Sequence, residues 1–321
     1  MMHSLLTHGF CGGRVRFPDF SSVIPHFDLG RRPLCLGSGS PIIFGMQRHY
    51  RLFAVALVLI IAVPAFSGEV VRLRVEDTIQ PASQQFIERA LAEAVDLDAD
   101  LVVMELDTPG GLVDTTRDIT TAITTSSVPV VVFVNPPGAR AASAGFFILL
   151  SADVAAMAPG TNTGAAHPVG GQGENLPEDV RDKVTNDAAA MVRSLAEQRG
   201  RNPVTAERTV IESISLTAEE ALEEGLIDLI ATDINDLLEQ LEGYEVTRFS
   251  GDVETLDIED AQMVEVEPSF PERLFSVLAN PNIAYLLMAL GALGLYVEIT
   301  HPGGILPGVV GVIFLLLGLY S

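Results

Sequence analysis

Ser143 sits in Ala141-Ala142-Ser143-Ala144-Gly145, flanked by side chains too small to shield its hydroxyl. Forty positions later comes Lys183, the single lysine among nineteen basic residues, the other eighteen being arginine. Arginine stays charged near neutral pH, whereas a lysine can lose its proton once its ammonium is buried or crowded. A serine and a proton-accepting lysine are the minimum for nucleophilic attack on a carbonyl carbon. A third feature is the turn Asp107-Thr108-Pro109-Gly110-Gly111, whose paired glycines let backbone N–H groups face an oxyanion. The N–H of Ala144, at a helix start, is a second such donor. Histidine is the commoner general base, and His167 lies downstream in a glycine-rich stretch, so it stands beside Lys183 as an alternative.

Each of these residues has a plainer reading. A serine at a helix start caps the helix. A Pro-Gly-Gly run makes a turn. Lys183 is then a helix-surface charge, and His167 a loop residue with no proton role. Asp182 and Asp187 favour the charged form of a nearby ammonium, so catalysis by Lys183 needs a dry pocket. Phe146, Phe147 and Val184 are expected to help line it. Metal chemistry is not expected: the six histidines are scattered, three of them before residue 46, without ligand spacing. No glycine motif after a strand carries the lysine of a phosphate site, and no cofactor is expected.

The elements that must position these residues alternate along the chain. Residues 70–75, 101–106, 128–134 and 153–157 read as strands. Residues 83–95, 112–124 and 141–150 read as helices, with Ser83 capping the first. This order makes an α/β fold with a parallel sheet and crossover helices. Both loops of interest fall at strand ends, where open parallel sheets bind ligands. Residues 164–177 read as a mobile loop, and a long helix runs from Pro177 or Asp179 to Arg199. Helical segments at 204–212 and 218–224 follow, and the acidic stretch 244–267 reads as edge strands or a linker.

Both ends differ from this middle. Residues 1–45 are rich in Gly, Pro, Ser and Arg, show no period, and read as an extension preceding the true start at Met46. Arg48, Arg51, the apolar run 52–63 and Ala65-Phe66-Ser67-Gly68 have the pattern of a secretory signal peptide. Both cysteines, Cys11 and Cys35, fall in that extension, which leaves no disulfide or thiol chemistry to the rest. Residues 283–299 and 305–320 are apolar, separated by His301-Pro302-Gly303-Gly304, and read as two membrane helices, the second cut short; a buried core hairpin is the alternative. The expected domains are therefore 1–45, 46–67, a catalytic domain at 68–243, an acidic edge or linker at 244–273, and a membrane region at 274–321. A net charge of −23 and a pI near 4.4 exclude nucleic acid and an electrostatic attraction to anionic lipid. A mean hydropathy of +0.35 is too apolar for an ordinary soluble domain of this charge.

Met104-Glu105-Leu106-Asp107-Thr108-Pro109-Gly110-Gly111, the strand at 130–134 and Ala142-Ser143-Ala144-Gly145 together resemble the ClpP/crotonase superfamily. With the signal peptide and membrane tail, the chain resembles the NfeD family of membrane-bound serine proteases. Lys183-Val184-Thr185-Asn186-Asp187, Gly200-Arg201-Asn202 and Leu216-Thr217-Ala218-Glu219-Glu220-Ala221 match as well, so the likeness runs from about 70 to 320. It implies Ser143 as nucleophile, Lys183 as general base, and an oxyanion hole from the N–H groups of Gly110 or Gly111 and of Ala144. It further implies an acyl-enzyme, a domain outside the cytoplasm, and hydrophobic segments of stomatin-like membrane proteins as substrate. Membrane lipid and a homodimer or larger homo-oligomer are the other expected partners. Longer family members add membrane helices and a small C-terminal β-barrel. Two other readings stand beside this one. One is a catalytically silent scaffold that partners stomatin-like proteins. The other is a crotonase-type acyl-CoA enzyme, which the export signal disfavours.

Overall fold

Strands buried on both faces must be apolar at every position, and the runs at 101–106 and 130–134 are so built. The computed structural model describes residues 68–170, 177–259, 261–301 and 305–320. The expected extension and signal peptide lie outside the described residues, as does part of the glycine-rich loop. The first half of the chain contains β1 (Glu69–Val75), α1 (Pro81–Asp96), β2 (Leu101–Leu106), α2 (Val113–Thr125), β3 (Val130–Val134), β4 (Arg140–Ala142), α3 (Ala144–Ser151), β5 (Val154–Met157) and β6 (Asn162–Gly164). Then come α4 (Glu178–Gln198), α5 (Pro203–Ile211), β7 (Ser215–Thr217), α6 (Ala218–Glu223), β8 (Leu229–Ile230), α7 (Ile234–Leu241), β9 (Glu245–Thr247), β10 (Val253–Thr255) and β11 (Gln262–Val266). The chain continues through α8 (Phe270–Leu278), α9 (Pro281–Thr300) and α10 (Ile305–Tyr320).

The main sheet has six strands in the order β11-β1-β2-β3-β5-β8, all parallel. This is the expected α/β arrangement of a parallel sheet with crossover helices. Alternate residues of each strand feed opposite faces. Val102, Met104, Leu106, Val130, Val132 and Val134 pack under the helices that carry the site. Leu101, Val103, Val131 and Phe133 pack on the other face against Leu237 and Leu241 of α7. A second sheet, β4-β6-β7, stands beside the first and holds the backbone around Ser143.

Two local expectations are corrected, and of the two readings of the acidic stretch the edge strands hold. Ser83 is not the N-cap of α1. The helix starts earlier because Pro81, lacking an N–H and fixed near helical φ, fills its first turn. Gln80 is the cap, and its N–H donates to Ser83 Oγ (2.8 Å). The stretch 141–150 is not one helix: Arg140–Ala142 pairs with β6, and α3 begins only at Ala144. The acidic stretch 244–267 contributes strands, a β9–β10 hairpin and β11, which extends the main sheet beside β1.

Helices α9 and α10 pack at backbone distance. A Cβ on Gly311 would fall 2.8 Å from the Gly291 carbonyl, so small residues are required along this seam. Residues Asn282–Thr300 are long and apolar enough to cross a membrane, with a hydropathy of 1.8. Only 11% of that window is buried, which rules out a buried core hairpin. The apolar helix Ile305–Leu319 is shorter.

Candidate active site

The site is assembled where β2 ends. Thr108 is fully buried, and its hydroxyl accepts from the Gly110 N–H and donates to the Gly110 carbonyl (both 3.2 Å). The backbone of Thr108 also ties the turn to β4. Its N–H donates to the Arg140 carbonyl (2.7 Å), and its carbonyl accepts from the Ala142 N–H (3.1 Å). On the other side, the Ile79 N–H donates to the Gly110 carbonyl (2.8 Å) and the Leu112 N–H to the Ile79 carbonyl (2.9 Å). In this parallel bridge the N–H of Gly111 points away from Ile79, and no partner engages it among the described residues. Of the two glycines offered by the sequence, Gly110 therefore spends its N–H on Thr108, and Gly111 keeps its own free.

Ser143 stands between β4 and α3 at φ +50° and ψ −112°. Such a conformation costs a residue with a Cβ about 1–3 kcal/mol and persists only where neighbours impose it. Here the Ser143 N–H donates to the Gly164 carbonyl (2.9 Å), and its carbonyl accepts from the Phe146 N–H (3.0 Å). Its hydroxyl makes no capping bond, so the plain N-cap role is not what it performs. Ala144 is the first residue of α3, where an N–H has no intrahelical acceptor. The turn and the serine are in contact: a Cβ on Gly110, at φ +130°, would lie 2.8 Å from Ser143 Cβ. One on Gly111 would lie 2.0 Å from the Ile79 carbonyl oxygen.

Ser143 opens into a small, mostly apolar pocket, lined among others by Gly111, Ala144, Phe147, Val184, Ala188 and Met191. Phe147 and Val184 line it as expected, whereas Phe146 is wholly buried in the core instead. Exposed Leu112, Val169 and Val180 adjoin lining residues along the chain or one helical turn away. Arg117 of α2 pairs with Asp187 of α4, and both line the pocket. The sequence contains no signal for that pair, whose members are 70 positions apart.

The two proposed bases are placed differently. His167 is half-buried, outside the lining, with Nδ1–H donating to the Val210 carbonyl (3.0 Å). Lys183 is exposed on α4, one turn before Asp187 and next to Val184, at the margin of the pocket-facing side. It has no hydrogen bond or ion pair among the described residues, and it is not part of the lining. The structure thus brings Ser143, Gly111 and Ala144 together and leaves Lys183 at the rim. Among the described residues no group of three His, Cys, Asp or Glu side chains is placed to hold a metal ion.

Residues 69–266 match the NfeD1b N-terminal domain, and residues 282–321 match the NfeD integral membrane domain. The membrane-bound protease PH1510 of Pyrococcus horikoshii is 35% identical over 271 residues, which cover 84% of this chain and 62% of that protein. The membrane protein NfeD1b of Bacillus subtilis is 33% identical over 260 residues, covering 77% and 54%. The chain thus spans less than two thirds of either relative. Two solved mutants of the 1510-N membrane-bound stomatin-specific protease are similar at 35% identity. A lysine-to-alanine mutant in complex with a substrate peptide has a TM-score of 0.61, covering 66% of this chain and 97% of its own. A serine-to-alanine mutant has a TM-score of 0.59, covering 63% and 99%.

Proposed function

The chain belongs to the NfeD family, and on that footing we propose that it is a membrane-anchored serine endopeptidase acting through Ser143 and Lys183. The observation that carries this reading is Ser143 itself. It is held in a strained turn with no capping bond, in the lining of an apolar pocket, beside N–H groups of Gly111 and Ala144 that no partner engages among the described residues. Strain of this kind concentrates where a side chain must be presented rather than packed.

In the proposed reaction, Ser143 Oγ attacks the scissile carbonyl carbon while its proton passes to the neutral amine of Lys183. The carbonyl oxygen becomes an oxyanion held by the Gly111 and Ala144 N–H groups. Collapse breaks the C–N bond, and the leaving amine takes the proton from Lys183. Water, giving a proton to Lys183, then attacks the ester carbon; the C–O bond to Ser143 breaks, the acid leaves, and Ser143 Oγ takes the proton back from Lys183. This requires the Lys183 side chain to turn from solvent across Val184 toward the serine. An apolar segment filling the pocket excludes the water that otherwise keeps the ammonium charged. The relative's mutated serine and lysine are one residue farther apart than Ser143 and Lys183, which supports the pairing.

The mostly apolar lining suits a hydrophobic stretch of a membrane protein, and the relative's name makes a stomatin-like protein the first substrate to try. A domain outside the cytoplasm and assembly as a dimer or larger belong to the same proposal. The second reading is a catalytically silent scaffold, favoured by one observation, the exposed position of Lys183. Incubating the full chain in detergent with a peptide copying an apolar segment of a stomatin-like protein separates the two. Cleavage that is lost in Ser143→Ala supports the peptidase. No cleavage by wild type supports the scaffold.

A further inference from the structure

Helix α8 lies between the two matched regions, in neither of them. Its amphipathicity is turned the wrong way for a helix in water. Glu272 and Ser276, four residues apart, face the domain. Glu272 is buried and takes Arg89 Nη2 (2.8 Å) and Nε (3.0 Å), while Arg89 also donates to the Glu267 carbonyl (2.8 Å). Ser276 Oγ donates to Asp77 Oδ2 (2.9 Å). Phe270, Leu274 and Val277, at spacings of four and three, form the opposite stripe and are 78%, 45% and 54% exposed. A surface helix ordinarily buries its apolar stripe and shows its charges.

What covers that stripe is indicated by the next helix. The Asn280 N–H still bonds to the Val277 carbonyl (3.2 Å), and the Asn280 side chain already caps α9 (3.0 Å to the Asn282 N–H). The span long and apolar enough to cross a membrane starts at Asn282, so α8 has no slack to stand away from the surface that α9 enters. We propose that α8 is an interfacial seat, its Phe270–Leu274–Val277 stripe sunk at the boundary of headgroups and acyl chains of a phospholipid bilayer. Apolar insertion drives this seating, because an acidic chain of net charge −23 is not drawn to anionic headgroups. The seat also reaches the site. Asp77, bonded to Ser276, is two residues from Ile79, which holds Gly110 and Leu112. The oxyanion turn is thereby tied to the surface from which a membrane-protein segment would arrive. The seat itself does not depend on the peptidase reading, and its test needs no activity.

The chain contains no tryptophan, so Phe270→Trp, Leu274→Trp and Val277→Trp each place a lone fluorophore on the stripe. Val253→Trp, on exposed β10, is the control. The full chain is reconstituted in phosphatidylcholine bilayers with and without lipids brominated near the top of the acyl chain. The stripe variants that fold are expected to emit to the blue, lose most of their emission to brominated lipid and resist aqueous iodide, while the control does the reverse. Water-like, iodide-quenched emission from the stripe overturns the proposal. So does blue emission that brominated lipid leaves intact, which would mean that a protein surface, such as a second copy, covers the stripe.

Discussion

Gly110→Ala places a methyl group where the oxyanion turn meets the nucleophile. At φ +130° an alanine is strained by about 1–3 kcal/mol whatever the space around it. Its Cβ also starts 2.8 Å from Ser143 Cβ, whereas ordinary contact begins at 3.4 Å, so one of the two must move by about half an ångström. Reactive geometry is sensitive on this scale, a 1 Å misplacement costing roughly 100-fold, so the serine should react about 10-fold more slowly. The control is Gly138→Ala, at φ +92° with nothing within 4 Å of the new Cβ. It bears the same kind of backbone cost without touching Ser143. Both variants should melt lower by about 2–12 °C, at about 2–4 °C per kcal/mol for a unit of this size. Only Gly110→Ala should slow labelling by a fluorophosphonate in detergent. Equal labelling rates in the two variants would refute the contact argument, as would an unchanged rate in Gly110→Ala.

Other outcomes follow from the ion pairs. Glu105 is buried and receives Arg72 (2.7 Å), Arg74 (2.9 Å) and Asn135 (3.0 Å), so Glu105→Ala should cost about 3–5 kcal/mol, read from denaturant unfolding. Arg117→Ala removes a largely exposed pair and should change stability by no more than about 1 kcal/mol. It leaves the Asp187 carboxylate unpaired on the pocket wall, and KM for an apolar peptide should rise. The Arg89 guanidinium and the Ser269 N–H hold the Glu272 carboxyl down to about 2 from its ordinary 4.5. A depressed carboxyl stabilises the fold fully above its ordinary value, and this contribution is lost as pH falls through the folded one. The melting difference between wild type and Glu272→Gln should therefore be largest above pH 4.5 and vanish toward about pH 2.

The sheet was legible because its central strands are buried on both faces and must be apolar throughout, as at 101–106. The site was legible as parts. Ser143, Gly111 and Ala144 are local features of small residues beside strand ends, and the fold brings them to one pocket. The long-range constraints were not legible. The start of α3 is set by Thr108 and Gly164, which take up backbone groups of Ala142 and Ser143 from well outside the local sequence. β11 is a short edge strand within an acidic stretch, and its pairing with β1 spans most of the domain. Phe146 and Phe147 are adjacent and look alike, yet only Phe147 turns to the pocket. The exposure of Lys183 and the reversed face of α8 are tertiary facts that no local pattern encodes.

The central claim is that Ser143 is a nucleophile whose proton goes to Lys183. Labelling of the full chain with a fluorophosphonate, compared among wild type, Ser143→Ala, Lys183→Ala and Lys183→Arg, tests both residues at once. The account predicts a labelled wild type and an unlabelled Ser143→Ala. Both lysine variants should slow by roughly 10²–10⁴-fold, the usual contribution of a general base. Label retained in Ser143→Ala, or a wild-type rate in Lys183→Arg, would contradict it.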